Sequence, residues 1–271
     1  MTTDQNAPSD SEALGAHDRR RAEPKTFGQQ AASFAKELLF VVVGAVVVSS
    51  LLRALVGQMF IIPSQSMEST LLIGDRVVVQ KITDFHRGDV VVFEDPGGWL
   101  PEEADVEAGP FDRILEFVGI PTASTPGHLI KRVIGMPGDK VVCCDTEGRL
   151  EVNGYALDES SYLYTSPTGV RVNPSDVRFE VVVPRDRIFV MGDHRDLSAD
   201  SRCHLSDSSA SQPRGAVAFV PEDMVVGPAF AIAAPFDRAR RMRVPATFAG
   251  VPPPAQPAPD RPSITPAGVS C

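Results

Sequence analysis

Cysteine is scarce and badly spaced for a scaffold: the chain has four in 271 residues, an adjacent pair at Cys143 and Cys144, then Cys203 and Cys271. That pattern is neither a dense disulfide framework nor the repeated Cys-x-x-Cys of a structural zinc site. Basic residues are outnumbered, 26 Lys and Arg against 35 Asp and Glu for a formal charge of −9, so there is no general attraction for a phosphate backbone and nucleic acid is not expected as a partner. GxxxxGK[ST], GxGxxG and HExxH are all absent, which removes the usual support for nucleotide or zinc-peptidase chemistry; no metal or cofactor is expected.

What is present falls into blocks. Residues 1–37 are polar, of mixed charge and without apolar period, and read as a disordered cytoplasmic segment. From Leu38 to Leu52 no residue is charged, and apolar character resumes after Arg53. Apolar on every face, with Lys36 and Arg53 able to snorkel at its ends, this stretch predicts a single transmembrane helix over 38–57 in the lipid bilayer of the cell membrane. Arg19, Arg20, Arg21, Lys25 and Lys36 precede it and Arg53 alone follows closely, so the N-terminus is expected in the cytoplasm and the rest outside.

Beyond the helix come short β-branched runs punctuated by Gly, Pro and Asp, among them RVVVQ at 76–80, DVVVF at 89–93 and the stretches 129–134, 140–144, 179–183, 188–191 and 224–234. They predict an all-β extracytoplasmic domain: a catalytic core over 58–141 and 187–237 with a smaller β insert over 142–186. Gly97–Gly127 reads as an insertion or mobile loop, and residues 238–271 as a Pro-rich disordered tail, extended and polyproline-like from 251, where 7 of the 24 prolines fall.

Three clusters carry residues able to do chemistry: Ile62-Pro63-Ser64-Gln65-Ser66-Met67-Glu68-Ser69-Thr70-Leu71, His128 to Lys140 around Lys131-Arg132, and Met191-Gly192-Asp193-His194-Arg195-Asp196-Leu197-Ser198-Ala199-Asp200-Ser201-Arg202. Strand alternation puts Leu129, Lys131 and Val133 on one face and Ile130, Arg132 and Ile134 on the other, so each cation sits among apolar neighbours. A lysine so placed is either an edge-strand surface residue or an amine desolvated until it can act as a base. The alternating carboxylates and guanidiniums of the third cluster are either a solvated loop or a rigid frame of bidentate pairs.

In this order behind a membrane anchor, PSQSMESTLLIGDRVVV, IKRVIGMPGDKV and MGDHRDLSADSR closely resemble the motifs of the bacterial type I signal peptidases, over about residues 36 to 236, with GPAFAIAAPF similar to the family's closing strand. The resemblance implies a serine–lysine endopeptidase that cleaves signal peptides from exported preproteins after small residues at −1 and −3. It implies Ser66 as nucleophile and Lys131 as general base, Ser64 as an oxyanion-hole hydroxyl and Ser198 as the group orienting the amine. Arg132, Asp193, Arg195, Asp200 and Arg202 would be the supporting frame, and Phe60, Ile62, Pro63, Met67, Leu71, Leu129 and Ile130 the substrate pocket walls. Gln65, His194 and Leu197 depart from residues frequent in the family, as does Cys203-His204-Leu205 after the frame; none removes a catalytic atom.

The assignment is physically demanding, because bringing a lysine from about 10.4 to about 7 requires on the order of 5 kcal/mol, which only burial supplies. Rival readings are a Ser66–His194–Asp193 triad, a Cys/His metal site, a strand-addition peptide binder that does not cut, and a peptidase dedicated to a narrow set of precursors. Outside the cytoplasm a disulfide is expected, and the closeness of both motifs to one site suggests a bridge from Cys143 or Cys144 to Cys203.

Overall fold

The structure is a computed structural model describing residues 27–55, 57–100, 127–208 and 213–265, with side chains in the first stretch described from 34 to 49. The chain divides into two compact units, 1–45 and 46–271. The first holds most of helix α1, Phe27–Leu55, whose apolar side chains such as Phe34 and Phe40 are exposed. Among the described residues no helix is long and apolar enough to cross a membrane. The expected disordered segment lies outside the described residues up to 26, and residues 27–37 are helical.

The second unit is built almost wholly of antiparallel strands, as the β-branched runs require. The strands are β1 Gly57–Ile61, β2 Arg76–Gln80, β3 Val90–Glu94, β4 His128–Gly135, β5 Lys140–Cys143, β6 Leu150–Val152, β7 Tyr155–Ala156, β8 Phe179–Val182, β9 Arg187–Met191, β10 Val220–Pro221, β11 Val225–Ala234, β12 Arg240–Arg241 and β13 Ser263–Thr265. The larger sheet runs β1-β2-β11-β3-β4-β9-β10, with β12 added to the end of β11; the smaller runs β13-β8-β5-β6-β7. β4 lies inside the large sheet, pairing Val91 with Lys131 on one side and Met191 with Arg132 on the other. Position inside a sheet is what buries both cations.

Three apolar clusters fill the unit. Phe60, Ile62, Met67, Leu71, Val77, Val79 and Ile130 pack under the first strands. Val91, Phe93, Trp99, Val133, Ile188 and Val190 pack in the middle of the large sheet. Val141, Leu150, Val152, Phe179, Val181 and Phe219 join the small sheet to the end of the large one.

Two expectations are corrected. The segment from 238, read as a disordered tail, carries β12, a 3-10 helix over Ala246–Gly250 and β13, which pairs with β8 at Ser263↔Val182, Ile264↔Val181 and Thr265↔Glu180. Its prolines cannot donate to a ladder, but their carbonyls accept, Pro252 from Asn153 Nδ2 at 2.9 Å and Pro259 from Arg185 N at 2.8 Å, so a Pro-rich chain docks as an extended strap. The disulfide joins Cys143 to Cys144, not either one to Cys203, which is itself disulfide-bonded. Cys143 Sγ lies 3.9 Å from Ser175 O in the small sheet's surroundings and Cys203 Sγ 3.6 Å from Ser198 O in the frame. Residues 101–126 of the expected insertion Gly97–Gly127, and Cys271, lie outside the described residues.

Candidate active site

Pro63 ends β1, since it has no N–H to continue the ladder, and the chain turns through Ser64–Thr70. Glu68 N donates to Gln65 O at 2.9 Å and Leu71 N to Met67 O at 2.8 Å, while Ile62 bonds Asp75 and Gly74 at the turn's base. Asp75 anchors that base, accepting Leu72 N at 2.9 Å and a two-bonded Arg238 at 2.8 and 2.9 Å. The turn presents Ser66, buried, with its hydroxyl 2.6 Å from Lys131 Nζ and 3.4 Å from Ser64 Oγ.

Lys131 is 4% exposed. Burial pushes its pKa down from 10.5 to about 8; the carboxylates of Asp200 and Asp193 hold it up against that, and Arg202 pushes it further down. The sequence-based expectation of about 7 left out the two carboxylates.

The third cluster forms a buried frame of bidentate pairs. Arg132 donates through Nε to Asp193 Oδ1 at 2.7 Å and through Nη2 to Oδ2 at 2.6 Å, with Nη1 on Gly88 O at 2.6 Å. Arg202 grips Asp200 by Nε and Nη2, both at 2.9 Å, and Gly192 N donates to Asp200 at 2.9 Å. Burial opposes the charge on Asp200, but Arg202 and the Gly192 N–H hold its carboxyl below the ordinary range. Arg195 donates to Gly192 O at 2.8 Å and pairs with Glu159 at 2.5 Å.

Ser198 is buried against Gly192 and near enough to Asp200 to favour its charge, yet its hydroxyl has no hydrogen bond of good geometry and none to Lys131. A cavity of about 140 Å³ beside Ser64 and Lys131 is lined by Phe60, Ile62, Pro63, Leu129 and Ile130 among others. Met67 and Leu71 do not line it: both are fully buried beneath the turn.

Several residues had no role assigned from sequence. The Thr70 hydroxyl donates to Asp193, and Tyr162, which donates to Glu159 at 2.6 Å, lies under the Arg132 guanidinium at 4.5 Å. Thr70 stood inside the serine motif, a usable signal; Glu159 and Tyr162 arrive from the insert, where no local pattern marks them. Trp99, the one tryptophan, stacks on His204 with centroids 4.6 Å apart and planes 10° apart, and its Nε1 donates to Val217 O at 2.9 Å. His204 in turn pairs with Asp207 at 2.7 Å.

The triad reading fails on partners. His194 Nδ1 lies 3.2 Å from Glu68 and the ring stacks on Tyr164, while Asp193 belongs to Arg132 and Ser66 to Lys131. The histidine contributes its backbone N–H, which donates to Ser66 O at 3.0 Å.

A buried hydroxyl in contact with a buried amine, on a rigid polar frame in an antiparallel domain, is an arrangement that can support attack by an activated nucleophile. The family profile for signal peptidase, peptidase S26, matches residues 35–234, so the chain belongs to that family of peptidases. Signal peptidase I of Mycobacterium tuberculosis is 33% identical over 221 residues, covering 74% of this chain and 71% of that one. The probable signal peptidase I of Mycobacterium leprae is 36% identical over 176 residues, 56% and 58% of the two chains. A solved signal peptidase I from Enterococcus faecalis is 22% identical, covering 54% of this chain and 97% of that one at a TM-score of 0.30.

Proposed function

We propose that this peptidase removes signal peptides from exported preproteins, with Ser66 as nucleophile and Lys131 as general base. The observation that carries the reading is the 2.6 Å contact between Ser66 Oγ and the buried Lys131 Nζ. In its neutral form the amine takes the Ser66 proton as Oγ attacks the scissile carbonyl. The oxyanion is met by the Ser66 backbone N–H and the Ser64 hydroxyl. The lysine ammonium gives its proton to the leaving amine, and the neutral amine then activates the water that releases the acyl group. The cavity at Phe60, Ile62, Pro63, Leu129 and Ile130 suits small side chains at −1 and −3.

Asp193, Arg132, Asp200, Arg202 and Arg195 keep the amine and the turn in place, and Ser198 packs behind them against Gly192. The uncharged run 38–52 anchors the chain in the bilayer with the N-terminus in the cytoplasm and the β domain outside, supported by the charge bias across that run. Tethering confines enzyme and membrane-held substrate to one surface.

Full-length enzyme in detergent tests the assignment on a preprotein with small residues at −1 and −3. Ser66→Ala and Lys131→Met should each abolish cleavage with the fold intact, and His194→Ala should keep most of it. An active Lys131→Met beside an inactive His194→Ala would overturn the proposal.

A further inference from the structure

The second cavity of interest lies away from the substrate pocket. Residues 238–243 read Arg-Ala-Arg-Arg-Met-Arg, four arginines in six positions of a chain with a net charge of −9. Between this segment and residues 155–162 opens a cleft of about 920 Å³, lined by Arg240, Arg241 and Arg243 together with Ser160, Ser161 and Thr70.

The arginines of this segment are used in two different ways. Arg238 is committed to the fold by its two bonds to Asp75. Arg240 gives one N–H to Thr70 O at 2.8 Å. Arg241 and Arg243 are exposed, and among the described residues their side chains make no ion pair or hydrogen bond, although the Arg241 backbone pairs with β11. Arg132 also borders the cleft, but Asp193 already neutralises it. The one carboxylate in the lining, Asp158, accepts Ser160 N at 3.0 Å. Three guanidinium forks therefore face one carboxylate, with hydroxyl donors beside them, and such a set fits the tetrahedral oxygens of a phosphate ester.

A neighbouring side chain says where that phosphate comes from. Phe236, two residues before Arg238, is 91% exposed. A bare aromatic next to a run of arginines is the composition of a segment that sits at a lipid headgroup layer, ring toward the acyl boundary and cations toward phosphate. We propose that the cleft between 155–162 and 240–247 binds the phosphate of an anionic phospholipid headgroup, with Arg241 and Arg243 as principal ligands and Arg240 assisting. The choice of lipid over free phosphate rests on the membrane residence proposed above; the anion site itself does not.

The test uses the full-length protein in a non-ionic detergent, titrated separately with short-chain phosphatidylglycerol, short-chain phosphatidylcholine, inorganic phosphate and an acidic peptide. Saturable binding of phosphatidylglycerol is expected, weakened by added salt and weakened about 10- to 30-fold in Arg241→Gln/Arg243→Gln. Phosphatidylcholine should bind far more weakly. Binding that is unchanged in the double variant would overturn the site. Inorganic phosphate binding as tightly as phosphatidylglycerol would overturn the lipid assignment, as would the acidic peptide displacing the lipid. Cleavage of a soluble preprotein, measured alongside, should be unchanged in the double variant, so a failed binding result and a failed peptidase assignment are told apart. Melting of the variant at the wild-type temperature shows that the fold is kept, and Phe236→Ser should weaken phosphatidylglycerol without altering phosphate binding.

Discussion

Replacing Lys131 by methionine separates what the amine does for chemistry from what its burial costs the fold. Methionine has similar length and no charge, so the site stays filled while the proposed base is lost. Chemistry should stop. In the wild-type enzyme the rate should rise about tenfold per pH unit on the acid side and level off near the amine's value of about 8. For stability, the folded amine releases its proton at about 8 and the unfolded one at 10.5, so between these values the unfolded chain binds more protons and wild-type stability rises with pH. The difference is worth about 3 kcal/mol of penalty carried in full below about pH 8. Methionine carries none of it. The stability of the variant relative to wild type should therefore shrink by roughly 2 to 3 kcal/mol between about pH 7 and about pH 10, whatever constant offset the lost hydrogen bond leaves. Denaturant titrations of both proteins at the two pH values measure this double difference, and initial rates across the same range give the profile. A pH-independent difference, or an activity limb centred near the ordinary histidine value of about 6.5, would refute the reasoning.

Three further outcomes follow from the geometry. At Gly192 an added Cβ would meet Ser198 Oγ at 2.3 Å and Ser66 O at 2.5 Å, so Gly192→Ala should lower kcat on the order of 100-fold by pushing the proposed nucleophile aside, with KM little changed in steady-state assays. Asp193→Ala leaves Arg132 buried without its bidentate partner and should cost about 3 to 5 kcal/mol in denaturant midpoint measurements; a loss under about 1 kcal/mol would show the pair to be dispensable. Ending the chain after Val251 uncovers the edge of β8 that β13 occupies, and light-scattering should detect self-association that the full chain lacks.

Where local pattern carries information, sequence and structure agree. The β-branched runs became strands because alternation and burial are local properties, and the serine and lysine motifs meet because β4 is an interior strand. The tail was misread because proline content signals only that a segment cannot form a helix or inner strand; its docking depends on Asn153, Arg185 and the open side of β8, all distant in sequence. Glu159 and Tyr162 were invisible for the same reason, since their partners Arg195 and Arg132 lie 36 and 30 positions away. The cysteine pairing was argued from the nearness of two motifs, whereas the bond formed joins immediate neighbours in the chain.

The stack of Trp99 on His204 gives the molecule an internal optical reporter. With one indole in the chain, every photon of tryptophan emission originates beside the 3-10 helix Ser201–His204 that carries Arg202. The emission of an indole depends on what lies against its ring face, so it follows the closeness of this stack. Any slip of the segment that grips Asp200 moves the imidazole against the indole and changes the signal. Intrinsic emission therefore reports on the packing of the segment that carries Arg202, without a label.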